Sequence, residues 1–163
     1  MRECGDCSAC CEGWIANRIE VAGGVTEIFP GQGCRYCVGH GCSVYETRPQ
    51  SPCRSFSCMW LTRESEFPEE MRPDISRAIV VDGMSLANWD VLTAIPVGST
   101  VPEATIDWLR LYSRQVGMPL VYDEREEVSG KFTGLGTKSY FGPSEFVDAV
   151  ANQVQPEDVI KFS

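Results

Sequence analysis

Cysteine is the residue whose number and placement point to chemistry in this sequence. The chain has 163 residues, nine of them cysteine, and all nine fall between Cys4 and Cys58. The first group is Cys4-x2-Cys7-x2-Cys10-Cys11, and the second is Cys34-x2-Cys37, Cys42, Cys53 and Cys58. His40, the single histidine, lies between Cys37 and Cys42. A thiolate is a soft donor, and a two-residue spacer lets the turn between two cysteines bring both sulfurs to one ion. Disulfides fit less well, because the count is odd and the vicinal pair Cys10-Cys11 bridges only with strain. The spacing therefore predicts a metal site. Two closed four-thiolate zinc ions use eight of the nine cysteines, leaving Cys37 or one of the vicinal pair over; a three-zinc cluster with bridging thiolates uses all nine. Iron–sulfur is the alternative: Cys4, Cys7 and Cys10 reproduce the first three ligands of a ferredoxin run, with a distant cysteine such as Cys53 as fourth.

The same residues resemble a known family, the CxxCxxCC proteins, a group of zinc- or iron-chelating proteins with no well-established activity. Cys4-Cys7-Cys10-Cys11 is its name-giving motif in full. Gly41-Cys42, Val44-Tyr45, Arg48-Pro49 and Cys53-Arg54 with Phe56 and Cys58 are similar to its second signature, and Cys34 matches the cysteine that precedes Gly-Cys. The resemblance covers roughly residues 4–60. It implies a ligand set of Cys4, Cys7, Cys10, Cys11, Cys34, Cys42, Cys53 and Cys58, with Cys37 standing where the family has an aliphatic residue. Cys37 and His40 are then additional candidate ligands. For His40 the expectation is a solvated turn residue, since thiols are already plentiful. A related segment occurs in flagellin lysine methylases, which opens an enzymatic alternative acting on a protein substrate. No catalytic residue can be assigned from this sequence.

Around the cysteines, Arg48 and Arg54 are placed either to offset the charge of a metal–thiolate centre or to close a turn, while Tyr45 and Phe56 are expected to pack over the knot. Glycines and prolines punctuate the first 60 residues, and Asn17–Val21 with Val25–Phe29 alternate around Gly23-Gly24 as a β-hairpin. The fold expected is α+β: a loop-rich cysteine knot with a hairpin (1–60), packed on a small acidic α+β body (61–163), the two forming one compact unit. In the body, Arg77–Asp82, Trp89–Ile95, Leu120–Tyr122 and Lys131–Thr133 read as strands. Thr100-Val101-Pro102-Glu103 reads as a capping box opening a helix with Ile106, Leu109, Tyr112 and Val116 on one face and a stop at Gly117. A last helix is expected over Ser144–Val154, with Phe146, Val147, Val150 and Val154 inward. Glu124, Glu126 and Glu127 read as a solvated loop. The glycines of Gly130–Ser139 read as a hairpin, since Thr137 before Lys138 and the absence of a following helix break the phosphate-loop pattern.

Charge separates the two parts. Residues 1–63 carry six Arg against six Asp/Glu, so the whole net charge of −9 comes from residues 64–163. An acidic surface repels phosphate backbones and anionic lipid, which argues against nucleic acid and membrane partners. No apolar run is of spanning length and the first residues lack signal-peptide character, so a cytoplasmic protein is expected. The functional expectation is a structural metal protein binding zinc, with a protein partner or small ligand on the acidic body; an iron–sulfur redox protein or enzyme is the alternative.

Overall fold

The structure, a computed structural model, describes residues 2–21, 24–153 and 160–162. Near the start, β1 (Asn17–Val21) and β2 (Gly24–Ile28) pair antiparallel with Asn17 opposite Ile28 and Ile19 opposite Thr26. This is the expected hairpin, although Gly23 lies outside the described residues. Alternation puts Ile19 and Ile28 on one face, where both are buried. Two single-turn helices, α1 (Met59–Thr62) and α2 (Pro73–Ser76), lead into the body.

The body is one five-stranded mixed sheet in sequence order. β3 (Ala78–Leu86) and β4 (Trp89–Pro96) form a hairpin whose two loop residues, Ala87 and Asn88, both have positive φ, the turn that matches strand twist. α3 (Glu103–Val116) then carries the chain across to β5 (Leu120–Val128), parallel to β4. A second tight hairpin over Ser129 and Gly130 leads to β6 (Lys131–Phe141), followed by α4 (Ser144–Ala151) and by β7 (Ile160–Phe162), parallel to β6. Both hairpins are thus followed by a helix and a parallel return. The α+β class is as expected.

Strand alternation sends the helices to opposite faces. Leu92, Leu120, Tyr122 and Phe141 share a core with Ile106, Leu109 and Tyr112 of α3, while Val91, Val121 and Tyr140 pack against Phe146 and Val150 of α4. The α3 face also receives the first segment: Ala9, Cys58, Met59, Trp60, Phe67 and Met71 belong to the same core cluster. Phe67 is fully buried and meets Trp108 and Tyr112 edge-on at 5.2 and 5.1 Å.

Several expectations need correcting. No side chain caps α3: Pro102 is the N-cap and has no oxygen to offer beyond its carbonyl, which accepts from Ile106 at 3.0 Å. Val116 is 36% exposed, because the helix face has turned away from the sheet by its last residue, although Gly117 stops the helix in the left-handed region as expected. Glu124, Glu126 and Glu127 lie in β5 rather than in a loop. The hairpin expected over Gly130–Ser139 is present, with Gly130 in its turn and Gly134 and Gly136 within β6. The reason is geometric. β5 pairs with β4 only over Leu120–Tyr122, so its second half and the first half of β6 leave the sheet as a two-stranded arm without a buried face. The last helix ends at Ala151, and Val154 is outside the described residues.

The arm reaches back to the N-terminal segment. Arg125 donates to the Trp14 carbonyl at 2.6 Å, to the Gly98 carbonyl at 3.0 Å and to the Pro96 carbonyl, and its guanidinium stands 5.5 Å from the Trp14 ring centre. Phe132 meets the same ring edge-on at 5.4 Å. Trp14 closes a helical turn, Cys10–Trp14, that bends at Gly13, whose φ is +98°. A Cβ there would run into the Phe29 carbonyl. Gly13→Ala should therefore destabilise the protein by about 3 kcal/mol, measured by urea unfolding, since it adds both backbone strain and overlap at a buried position.

Candidate metal centre

A cavity of about 130 Å³ opens between the β1–β2 hairpin and the loops that follow it, and eight cysteines line it: Cys4, Cys7, Cys10, Cys11, Cys34, Cys42, Cys53 and Cys58. Cys37 and His40 are not among its lining residues. His40 is exposed in the tight turn over Val38–Gly41.

Short local structures aim these thiols. The N–H of Cys7 donates to the Cys4 carbonyl at 2.9 Å, closing a turn in which Gly5 takes positive φ. Cys10 and Cys11 open a helical turn, where successive side chains point roughly 100° apart. Neighbouring thiols can therefore face different partners. The Cys34 N–H donates to the Cys11 carbonyl at 2.7 Å, and the Cys37 N–H to the Cys34 carbonyl at 3.0 Å, so the second cysteine group hangs directly on the first. Cys37 and Cys42 then oppose each other in an isolated antiparallel bridge. Cys53 sits in the turn Gln50–Arg54, and Cys58 is the N-cap of α1.

Burial dominates the electrostatics of the cavity. It pushes the Cys7 thiol up to about 11 and the Cys11 thiol to about 12, with the surrounding thiols adding to the rise at Cys11. Cys10 is raised well above the ordinary thiol value, again chiefly by burial and then by Cys58, Cys7, Cys11 and Cys4. Cys4, Cys53 and Cys58 are raised for the same first reason. Opposing this, backbone N–H groups of Ala9 and Asp74 favour the Cys7 thiolate, those of Leu61 and Trp60 favour Cys58, and the Arg48 charge favours Cys4 and Cys53.

The donor set suits a thiophilic ion. Trp60 lines the cavity, and its indole N–H is buried with no acceptor, a donor that an anionic sulfur centre would satisfy. Among the described residues, no group of three or more His, Cys, Asp or Glu is gathered closely enough to hold an ion as placed. The thiols ring the cavity wall rather than meeting at a point.

Arg48 stands in two places at once. It lines the cavity, and it also closes its own turn, donating to the Tyr45 carbonyl at 2.6 Å with its guanidinium 3.6 Å from the Tyr45 ring centre. Arg54 only closes a turn, donating to the carbonyls of Arg48 at 3.0 Å and of Glu46. Tyr45 and Phe56 are part of the cavity wall. The sequence gives no sign of two further contributors, the Asp74 N–H at Cys7 and the Arg125 tie to Trp14. Both reach the knot from far along the chain and carry no local motif. Arg2 was likewise unmarked: it donates to the carbonyls of Trp60 at 3.1 Å and Phe67 at 2.6 Å and lies over the Trp60 ring.

No protein-family model, curated protein or solved structure matches this chain. Among the described residues no helix is long and apolar enough to cross a membrane.

Raised thiols make the metal-free protein sensitive to alkali. The unfolded chain loses its thiol protons from about pH 9, whereas the folded chain holds those of Cys7 and Cys11 to about 11 and 12. Stability is thus fully present below the unfolded value and falls as pH rises through the folded ones. Urea unfolding of the metal-free protein should show lower stability at about pH 10 than at about pH 7, a difference that zinc loading should abolish.

Proposed function

We propose that this is a metal-binding protein in which zinc is held by Cys4, Cys7, Cys10, Cys11, Cys34, Cys42, Cys53 and Cys58, and that the ion's role is structural. One observation carries the reading: these eight thiols, spread over 55 residues of chain, share one cavity, while Cys37 and His40 lie off it. Two four-coordinate ions take eight thiolates. Each would be closed by protein ligands, supplying folding free energy and leaving no open position for chemistry. The N–H groups at Cys7 and Cys58, the Trp60 indole and Arg48 are the donors and counter-charge that a dianionic metal–tetrathiolate requires. Membership of the CxxCxxCC family is part of the same proposal, as is a reducing, cytoplasmic setting in which the thiols stay free to bind. The acidic body repels nucleic acid and anionic membranes and leaves a surface for a protein partner or small ligand.

A second reading has one feature in its favour. Because no three thiols meet at a point, a cluster of iron and sulfide would bridge the cavity with less movement than a single ion requires. The protein would then be a redox protein, or an enzyme acting on a protein substrate as the flagellin lysine methylases do.

Anaerobic purification with an absorption spectrum and elemental analysis separates the two. A colourless protein with about two zinc per chain is the expected result. A brown protein with iron and labile sulfide selects the second reading, and a protein that takes up neither metal overturns both. Adding zinc to metal-free protein in weak buffer should release protons, and apparent affinity should rise with pH, because thiols held protonated must ionise to bind.

A further inference from the structure

Cys37 stands apart from the other eight cysteines, since it alone does not line the cavity. What it faces instead is Cys42. The two oppose each other in an isolated antiparallel bridge, around which the Ser43 N–H donates to the Tyr36 carbonyl at 2.9 Å and the Val38 N–H to the Gly41 carbonyl at 3.1 Å. Both bonds flank the cysteines rather than join them, so Cys37 and Cys42 are a non-hydrogen-bonded pair. In such a pair the opposed Cα atoms approach to about 4.5 Å with both side chains on one face. A disulfide closes without backbone movement over Cα separations of about 4.4–6.8 Å, and this register falls inside that range.

A short frame fixes the register. Only Val38, Gly39, His40 and Gly41 run between the two cysteines, and Gly39 and Gly41 take φ of +82° and +128°. Gly41 also rests against the first cysteine turn, where a Cβ would stand 3.3 Å from the Gly5 carbonyl. Cys42 is thereby held at the cavity and Cys37 at its rim. Val38, Gly39, His40 and Ser43 are all exposed, so a small solute reaches the pair from outside. The other closely spaced thiols are placed differently. Cys7 and Cys10 pack against the main core, and Cys34 is tied inward by its N–H bond to the Cys11 carbonyl at 2.7 Å. The vicinal pair Cys10-Cys11 bridges only with strain.

We infer that Cys37 and Cys42 form a reversible disulfide, a redox site whose state sets whether the cavity presents eight thiols or seven. The oxidant is a small disulfide of the oxidised-glutathione class. The Cys37 sulfur bonds to one sulfur of the oxidant, and the sulfur that leaves takes the Cys37 proton. The Cys42 sulfur then displaces the remaining small thiol from Cys37, and that thiol leaves with the Cys42 proton. Two protein thiols and one small disulfide thus become one protein disulfide and two small thiols, a two-electron oxidation that excess small thiol reverses. In a reducing compartment such a bond is transient and senses the thiol poise. The step needs only the two thiols and the oxidant, so it is independent of the metal reading above.

The test uses the full chain as purified under reducing conditions, freed of reductant and exposed to oxidised glutathione. The reaction is stopped with acid and N-ethylmaleimide, and peptide mass spectrometry shows which cysteines were alkylated. The first product should lack two hydrogen atoms and carry no glutathione, with Cys37 and Cys42 unalkylated and Cys34 and Cys53 alkylated. Excess reduced glutathione should restore all nine thiols. Cys34→Ser should form the same bond. Cys37→Ser, which leaves every cavity thiol in place, should lose it while keeping the wild-type far-ultraviolet spectrum. A first bond between any other two cysteines, a glutathione adduct that Cys42 does not displace, or no bond at all overturns the inference. Elemental analysis of the same sample decides the metal reading separately.

Discussion

Cys58 belongs at once to the cavity and to the hydrophobic core, and much of the N-terminal geometry depends on that. It lines the cavity with the other cysteines, while its carbonyl starts α1 by accepting from Leu61 at 3.0 Å and Thr62 at 3.2 Å. The next two residues, Met59 and Trp60, are buried. The sulfur cannot shift without moving them, and close-packed side chains resist such movement. Arg2 reinforces the same point, bonding to the Trp60 carbonyl within α1 and to the Phe67 carbonyl beyond it. One wall of the cavity is consequently as fixed as the core, and the opposite wall is only as fixed as the turns between Cys34 and Cys53.

What the sequence made legible follows from how local each signal is. The two cysteine groups, the β1–β2 hairpin and α3 all declare themselves within a few residues through spacing, alternation or a terminal glycine. Eight of the cysteines do share a cavity, and Cys37, at the position where the family resemblance expects an aliphatic residue, is the one outside it. The arm of β5 and β6 was not legible for a physical reason. A strand pair exposed on both faces has no apolar period, so Glu124, Glu126 and Glu127 looked like loop residues. Nor could spacing show that the neighbours Cys10 and Cys11 turn to different partners, because that depends on the helical turn they open and on the distant Cys34 N–H.

The arm also shows how an acidic body holds a knot of thiols without adding charge to it. Its carboxylates are engaged away from the cavity: Glu126 accepts from Thr133 at 2.6 Å, Glu127 from Ser99 at 2.6 Å, and Asp123 pairs with Lys138 at 2.6 Å. Toward the cysteine segment it presents Arg125 and Phe132. Arg125 is bound by carbonyl oxygens in a partly buried place, which lowers the pKa of its guanidinium, chiefly through desolvation. A cation between carbonyls and an indole face is a favourable use of that burial.

The bond from Arg125 to Trp14 spans 111 residues of chain. Contacts so distant in sequence close late, because the loop entropy must be overcome before they reward it, while the hairpins of the sheet form from neighbours. During synthesis the cysteines emerge well before their clasp. For the time it takes to make the strands between, nine thiols stand outside the ribosome with no sheet to dock on, so the reducing power of their surroundings, more than the finished fold, decides whether they arrive unoxidised.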